Sequence, residues 1–134
     1  MSKDPKDILK IAVVDDSDFS RRTVVQILEK NEFEVVGEAG NAETAIALLS
    51  TTGANLFLID VVMPNIGGME LAKKITELAS RPVSIVMMSS LDLESIIIES
   101  ISNGAIDFLA KPFNEDTLIK SVTKVGQALS KDSL

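Results

Sequence analysis

The apolar positions of this chain follow two alternating rhythms. Short continuous runs rich in β-branched residues read as strands buried on both faces, and longer segments with apolar residues three and four apart read as amphipathic helices. The first run, Ile11-Ala12-Val13-Val14, stops at Asp15-Asp16. From about Asp18 to Lys30, Val24, Val25, Ile27 and Leu28 share one side of a helix, with Arg21, Arg22, Gln26 and Glu29 on the other. Glu34 to Ala39 is a weaker run containing Gly37 and fits an edge strand. Asn41 caps a second helix whose stripe is Ala42, Ala45, Ile46 and Leu49, and Thr51-Thr52-Gly53 breaks it. Leu56-Phe57-Leu58-Ile59 is a buried strand ending at Asp60. A loop with Pro64, Gly67 and Gly68 leads into a third helix from about Met69 to Ala79. Val83 to Met88 is a fourth strand, ending at Ser89-Ser90. Leu93 to Asn103 is a fourth helix, with Asn103-Gly104 as a left-handed stop. Asp107 to Ala110 is a short fifth strand ending at Lys111-Pro112, and Asn114 caps a last helix reaching about Leu129.

Strands and helices in strict alternation imply parallel pairing, right-handed crossovers and an α/β sandwich. The chain of 134 residues is expected to be a single domain over 1–134, with its core at about 8–129. The residues before and after that core fall outside the alternation.

Composition narrows the chemistry. Hydrophobic residues are 46% and charged residues 25%, as in a globular chain. Lys plus Arg number 13 against 20 Asp plus Glu, a net charge of −7, which disfavours nucleic acid and anionic membrane surfaces as partners. There is no Cys and no His, so thiol chemistry, Ser-His-Asp triads and imidazole-ligated metals are excluded. Oxygen-liking cations such as Mg²⁺ stay open. The opening MSKDPKDILK is not a signal peptide, and no apolar run approaches the ~18 residues of a membrane span. The expected location is cytoplasmic.

The strands end in polar residues that a buried strand would not select: Asp15 and Asp16, Asp60, Ser89, and Lys111. In an open parallel sheet, ligands bind beyond the carboxyl ends of the strands. A strand order of 2-1-3-4-5 would bring all of these ends to one pocket. Clustered carboxylates repel, and a divalent cation relieves the repulsion. A Lys opposite them is a point charge suited to phosphate, and a Ser hydroxyl can donate to a phosphate oxygen. Together they read as a phosphoryl site, with Asp60 favoured as nucleophile because it stands alone on the central strand. Each feature also has a plain explanation. Asp15-Asp16 or Ser89-Ser90 can cap a helix, Lys111 can be solvated, and Phe108 can be core. Those explanations give no reason for the convergence.

In Val13-Val14-Asp15-Asp16, Asp60-Val61-Val62-Met63-Pro64 with Gly68, Met88-Ser89-Ser90 and Asp107 through Phe113, the chain resembles a CheY-like receiver domain of two-component response regulators. The resemblance covers about residues 8 to 129. It implies a doubly wound, flavodoxin-like (βα)5 fold. It also implies that Asp60 accepts a phosphoryl group from a phosphohistidine on a sensor histidine kinase. Asp16, Asp60 and the Val62 backbone carbonyl would ligate Mg²⁺, with Asp15 helping through water. Lys111 would pair with the phosphoryl, Ser89 would swing toward it, Phe108 would change rotamer, and the Lys111-Pro112 bond would be cis. Such a protein is a switch that catalyses only its own phosphorylation and dephosphorylation.

Two positions depart from many relatives. Val62 and Leu91 are apolar where a polar residue is frequent, which points to tuning of dephosphorylation. Phe108 stands where chemotaxis members commonly have Tyr. Ile96-Ile97-Ile98 leaves two readings open. Either two face the core and one its border, or Ile98 marks a partner surface on the fourth helix, fifth strand and fifth helix. The expected function is a stand-alone response regulator that signals by phosphorylation-dependent protein binding, with chemotaxis as the first setting. The alternatives are a phosphocarrier in a multistep relay and an Mg²⁺-dependent phosphatase of haloacid dehalogenase type, whose Asp-x-Asp pattern Val62 breaks. A flavin carrier is a further alternative, disfavoured by the absent Trp and Tyr.

Overall fold

A computed structural model describes residues 4–91 and 93–132. The elements in order are α1 (Pro5–Ile8), β1 (Lys10–Val14), α2 (Asp18–Lys30), β2 (Glu34–Ala39), α3 (Ala42–Thr51), β3 (Leu56–Asp60), α4 (Gly68–Leu78), β4 (Ser84–Ser89), α5 (Glu94–Ser102), β5 (Asp107–Ala110) and α6 (Glu115–Asp132). All strands pair in parallel, in the order β2-β1-β3-β4-β5. This is the doubly wound flavodoxin-like sandwich expected from the alternation.

The three central strands explain why their sequences are apolar without alternation. One face of β1, β3 and β4 presents Ala12, Val14, Phe57, Ile59, Ile85 and Met87 to the α3 and α4 side. The other presents Ile11, Val13, Leu56, Leu58, Val86 and Met88 to Val24, Val25 and Leu28 of α2 and Leu118, Val122 and Val125 of α6. Apart from the smaller Ala12, each such side chain removed from water contributes about 1.5–3 kcal/mol, which makes these strands the stable frame of the molecule. The edge strands β2 and β5 are less buried, and β2 carries a register shift between Ile11 and Ala12 of its partner.

The front of the chain is a correction to the sequence reading. Pro5–Ile8, ahead of the first strand, form α1, and Leu9 behind it is fully buried. Asp4 caps α1, and Asn55 fastens its end by donating to the Ile8 carbonyl at 3.0 Å and accepting from Lys10 N–H at 2.9 Å. This turn packs on α6 at Gly126, where a Cβ would stand 2.5 Å from Pro5 Cβ. A glycine inside a helix costs about 1 kcal/mol relative to alanine, and here the close approach of α1 requires it.

The α5 helix is the second correction. Its one buried residue among those described is Ser100, whose hydroxyl bonds the Ile96 carbonyl at 2.9 Å and approaches Met69 Sδ at 3.7 Å. Ile96 is half-buried, and Ile97, Ile98 and Ile101 are exposed. The reading of two core isoleucines in the Ile96–Ile98 run therefore fails. The helix turns its small polar residue inward and its aliphatic stripe outward. The other boundaries move by one to three residues, and Gly104 stops α5 at φ +100° as expected.

Candidate functional site

Because every strand is parallel, all carboxyl ends lie along one edge. The adjacency of β1, β3, β4 and β5 brings Asp15, Asp16, Asp60, Ser89 and Lys111 together there. One carboxylate oxygen from each of Asp15, Asp16 and Asp60 lies within 4.8 Å of the others. Asp15 and Asp60 are buried, whereas Asp16 is exposed at the mouth.

Lys111 sits across the buried pair. Its Nζ donates to Asp15 Oδ2 at 2.7 Å, to Asp60 Oδ2 at 2.7 Å and to Ser20 Oγ at 2.9 Å. These are all the protons an ammonium has to give. The other carboxylate oxygens are held by backbone: Val62 N–H donates to Asp60 Oδ1 at 2.8 Å, and Ser17 N–H to Asp15 Oδ1 at 2.9 Å.

The two buried acids respond differently to this setting. Burial is the largest influence on Asp60 and leaves its carboxyl above the usual range, despite the bonds from Lys111 and Val62. Burial also pushes Asp15 upward, but Lys111, the Ser17 amide and the Ser20 hydroxyl together bring it below the usual value. Burial would lower the Lys111 ammonium, and its two carboxylate partners outweigh that and raise it.

The plain explanations of the acidic pair, Ser89 and Lys111 do not hold, whereas Phe108 does pack on the core. The N-cap of α2 is Ser17, whose hydroxyl accepts from Ser20 N–H, so the acidic pair is not a cap. Ser89 is fully buried and accepts from Leu91 N–H at 2.9 Å, while α5 begins without a side-chain cap. Phe108 is half-buried against the α3 and α4 side of the core. Val62 and Leu91 are 52% and 46% exposed, each following a site residue to which its own amide is bonded. The Lys111-Pro112 bond is cis. Ile98 stands apart from the acidic cluster on the outward stripe of α5 and is 57% exposed.

The donor set suits a hard divalent cation. It is made of carboxylate oxygens, two acids are fixed by hydrogen bonds, and the third is open to solvent where water can complete the coordination. Lys111 bridges Asp15 and Asp60, so part of their mutual repulsion is already offset.

Sequence reasoning missed several residues that shape this site. Ser20 supplies the third acceptor of Lys111, and Arg21 donates to the Asp15 carbonyl at 2.6 Å. Both lie in the first turns of α2, four and five residues past Asp16, where a helix start reaches back over the strand end. Beside Lys111 a hollow of about 330 Å³ opens between α2 and the turn after β5, lined by Phe19, Thr23, Ile27, Pro112 and Phe113. Phe19 is 84% exposed, an unusual place for an aromatic ring. Gly68 closes the floor: its N–H donates to the Val61 carbonyl at 2.9 Å, and a Cβ on it would fall 2.1 Å from the Asp60 carbonyl oxygen.

A doubly wound sheet with an acidic triad, a bridging lysine and a buried serine at its carboxyl edge defines a class, and the chain belongs to it: the response regulator receiver domain family, whose model matches residues 11–123. The chain is 35% identical over 115 residues to the chemotaxis protein CheY of Bacillus subtilis (strain 168), covering 86% of this chain and 95% of that protein. It is 42% identical over 109 residues to a protein-glutamate methylesterase/protein-glutamine glutaminase of Pseudoalteromonas atlantica, covering 79% of this chain and 28% of that enzyme. Among solved structures, a CheY-like response regulator receiver domain protein from Methanospirillum hungatei JF-1 matches with a TM-score of 0.83 at 28% identity, covering 92% of this chain and 98% of that one. Family membership sets aside the phosphatase and flavin-carrier alternatives. Among the described residues no helix is long and apolar enough to cross a membrane.

Proposed function

We propose that this receiver domain is a phosphorylation-operated switch with Asp60 as its acceptor. The donor is a phosphohistidine on a partner sensor histidine kinase. A carboxylate oxygen of Asp60 forms a bond to phosphorus as the P–N bond breaks, and the imidazole departs with the electron pair. The observation that carries this reading is the Asp60 carboxylate itself. It stands alone at the end of the central strand, and Val62 N–H and Lys111 hold its two oxygens. Exposed Phe19 and the hollow beside Lys111 offer an incoming protein an apolar hold next to it.

In this reading Asp16, Asp60 and the Val62 backbone carbonyl hold Mg²⁺, with Asp15 acting through water. When bound, the ion would withdraw negative charge from the transferring phosphoryl oxygens. Lys111 gives up part of its bonding to the carboxylates and pairs with the phosphoryl group. Ser89 turns from Leu91 N–H to donate to a phosphoryl oxygen, and Phe108 follows into the space behind it. The output is protein binding on the surface of α5, β5 and α6, where Ile98 is the exposed anchor. The identity to CheY supports chemotaxis as the setting.

Incubation with acetyl phosphate and MgCl₂ followed by intact mass measurement tests the core of this reading. The parent should gain one phosphoryl group and Asp60→Asn none, because an amide is not a nucleophile of this kind. A parent that gains nothing, or a phosphorylated Asp60→Asn, refutes it.

A further inference from the structure

Arg21 lies directly behind the acidic pair. Its side chain is 14% exposed, a high degree of burial for an arginine. Its guanidinium is held on three sides. Nη1 donates to the Asp15 carbonyl at 2.6 Å, Nε to Glu38 Oε1 at 3.2 Å, and Nη2 to Asp18 Oδ1 at 2.6 Å. Asp18 is almost wholly solvated, so that pair contributes little. Glu38 is different. It projects from the end of β2, is mostly buried, and also takes a bond from Arg22.

The Asp15 carbonyl belongs to the peptide unit that joins Asp15 to Asp16. That unit is planar, so fixing the carbonyl direction fixes the plane from which Asp16 continues. The backbone on the other side is also pinned, because Asp15 N–H donates to the Ala39 carbonyl at 3.0 Å. Asp16 is the exposed member of the triad and has no bond of its own from Lys111 to orient it. A planar fork with several donors can hold a carbonyl and a carboxylate at once, which a lysine ammonium on a flexible stem cannot do with the same geometry.

We infer that Arg21 is a positioning residue for the cation site, with Glu38 as its orienting partner. The guanidinium holds the Asp15–Asp16 peptide so that the Asp16 carboxylate meets Asp60. The inference rests on the proposed reading that these carboxylates bind Mg²⁺. It makes a prediction of distinctive sign. Through-space electrostatics alone says that deleting a positive charge near a cation site tightens cation binding. Positioning says the opposite, since loss of an outer partner that orients a ligand typically weakens metal affinity about 10–100-fold.

The test is the Mg²⁺ dissociation constant of the full chain, read from backbone amide chemical shifts during MgCl₂ titration, with the metal-free melting temperature measured beside it. Arg21→Met should weaken binding by about 10–100-fold. Arg21→Lys should fall with Arg21→Met rather than with the parent, although it keeps the charge. Glu38→Gln removes a negative charge and weakens cation binding on either account, so Arg21→Lys, which keeps the charge, carries the test if Arg21→Met does not fold. A purely structural role would lower the melting temperature and leave the dissociation constant unchanged. Unchanged or tighter binding in the folded variants overturns the inference. A parent that binds no Mg²⁺ overturns the reading of the site, and this inference with it.

Discussion

Gly68→Ala adds one methyl group to the first residue of α4 and should damage both the fold and the site. At a solvent-exposed helix position, replacing glycine by alanine gains up to about 1 kcal/mol from helix propensity. Here the added carbon would lie 2.1 Å from the Asp60 carbonyl oxygen and 2.8 Å from the Val61 Cα. Carbon and oxygen atoms in van der Waals contact stay about 3.3–3.6 Å apart, so α4 and the end of β3 must separate by more than about 1 Å. Both sides of the clash are backbone, and one is the buried central strand, so no flexible side chain can yield. Overpacking of this kind costs about 1–3 kcal/mol or more, and a backbone clash belongs at the upper end. With an unfolding entropy of about 2.1 cal/mol/K per residue, a loss of about 3 kcal/mol lowers the melting temperature by about 10 °C. The same shift displaces Asp60, so phosphorylation by acetyl phosphate should slow as well. Gly67→Ala is the control. Its Cβ would sit 3.5 Å from the Val61 carbonyl oxygen, an ordinary contact, and only a helix-cap preference is lost, about 0.5–1 kcal/mol. Thermal unfolding by circular dichroism decides the matter. If Gly68→Ala melts within about 2 °C of Gly67→Ala, the close approach of α4 to Asp60 is not a constraint on the molecule.

Two further outcomes follow from the same geometry. The apolar, half-exposed Val62 and Leu91 give an attacking water no hydrogen bond, so the phosphoryl group should persist, and Val62→Asn with Leu91→Glu should shorten its lifetime; equal decay rates in parent and double variant, measured by intact mass over time, refute this. Without added metal, the raised carboxyl of Asp60 contributes stability below its unfolded value, near pH ~3.9, that is lost as pH rises through its folded value. Asp60→Asn should therefore raise the melting temperature at pH ~7 and leave it little changed at pH ~3, and a melt unaffected at neutral pH counts against the burial argument.

The strand ends were legible because polar residues are out of place there. Asp15, Asp60, Ser89 and Lys111 each interrupt or close an apolar run, and a parallel sheet has one edge at which such residues collect. Arg21 was not legible for the opposite reason. It falls on the polar side of an amphipathic helix, where arginine is usually solvated; the turn after β1 brings the Asp15 carbonyl to it, and only the path of β2 past α2 brings Glu38. The four residues of α1 are too few to show a helical period. In α5 the pattern misled, because apolar character says which residues gain from burial but not which way a helix turns. Ser100 took the inward position, bonded to the carbonyl four residues before it, and the isoleucines were left outside.

That outward stripe has a colloidal consequence. The chain carries a net charge of −7, and at low ionic strength this repulsion keeps copies from meeting through Ile97, Ile98 and Ile101. The reach of the repulsion shrinks from ~30 Å at 0.01 M salt to ~8 Å at physiological strength and ~3 Å at 1 M, while apolar attraction does not fade with it. Salt thus acts on this protein in two opposite ways. It screens the surface pairs, such as Lys30 with Glu115, and it removes the electrostatic cushion from an oily helix. If α5 is the output face proposed above, the solubility of the molecule and the grip of its partner would be set by the same few side chains, so a substitution that makes the protein easier to concentrate there would also make it a poorer binding partner.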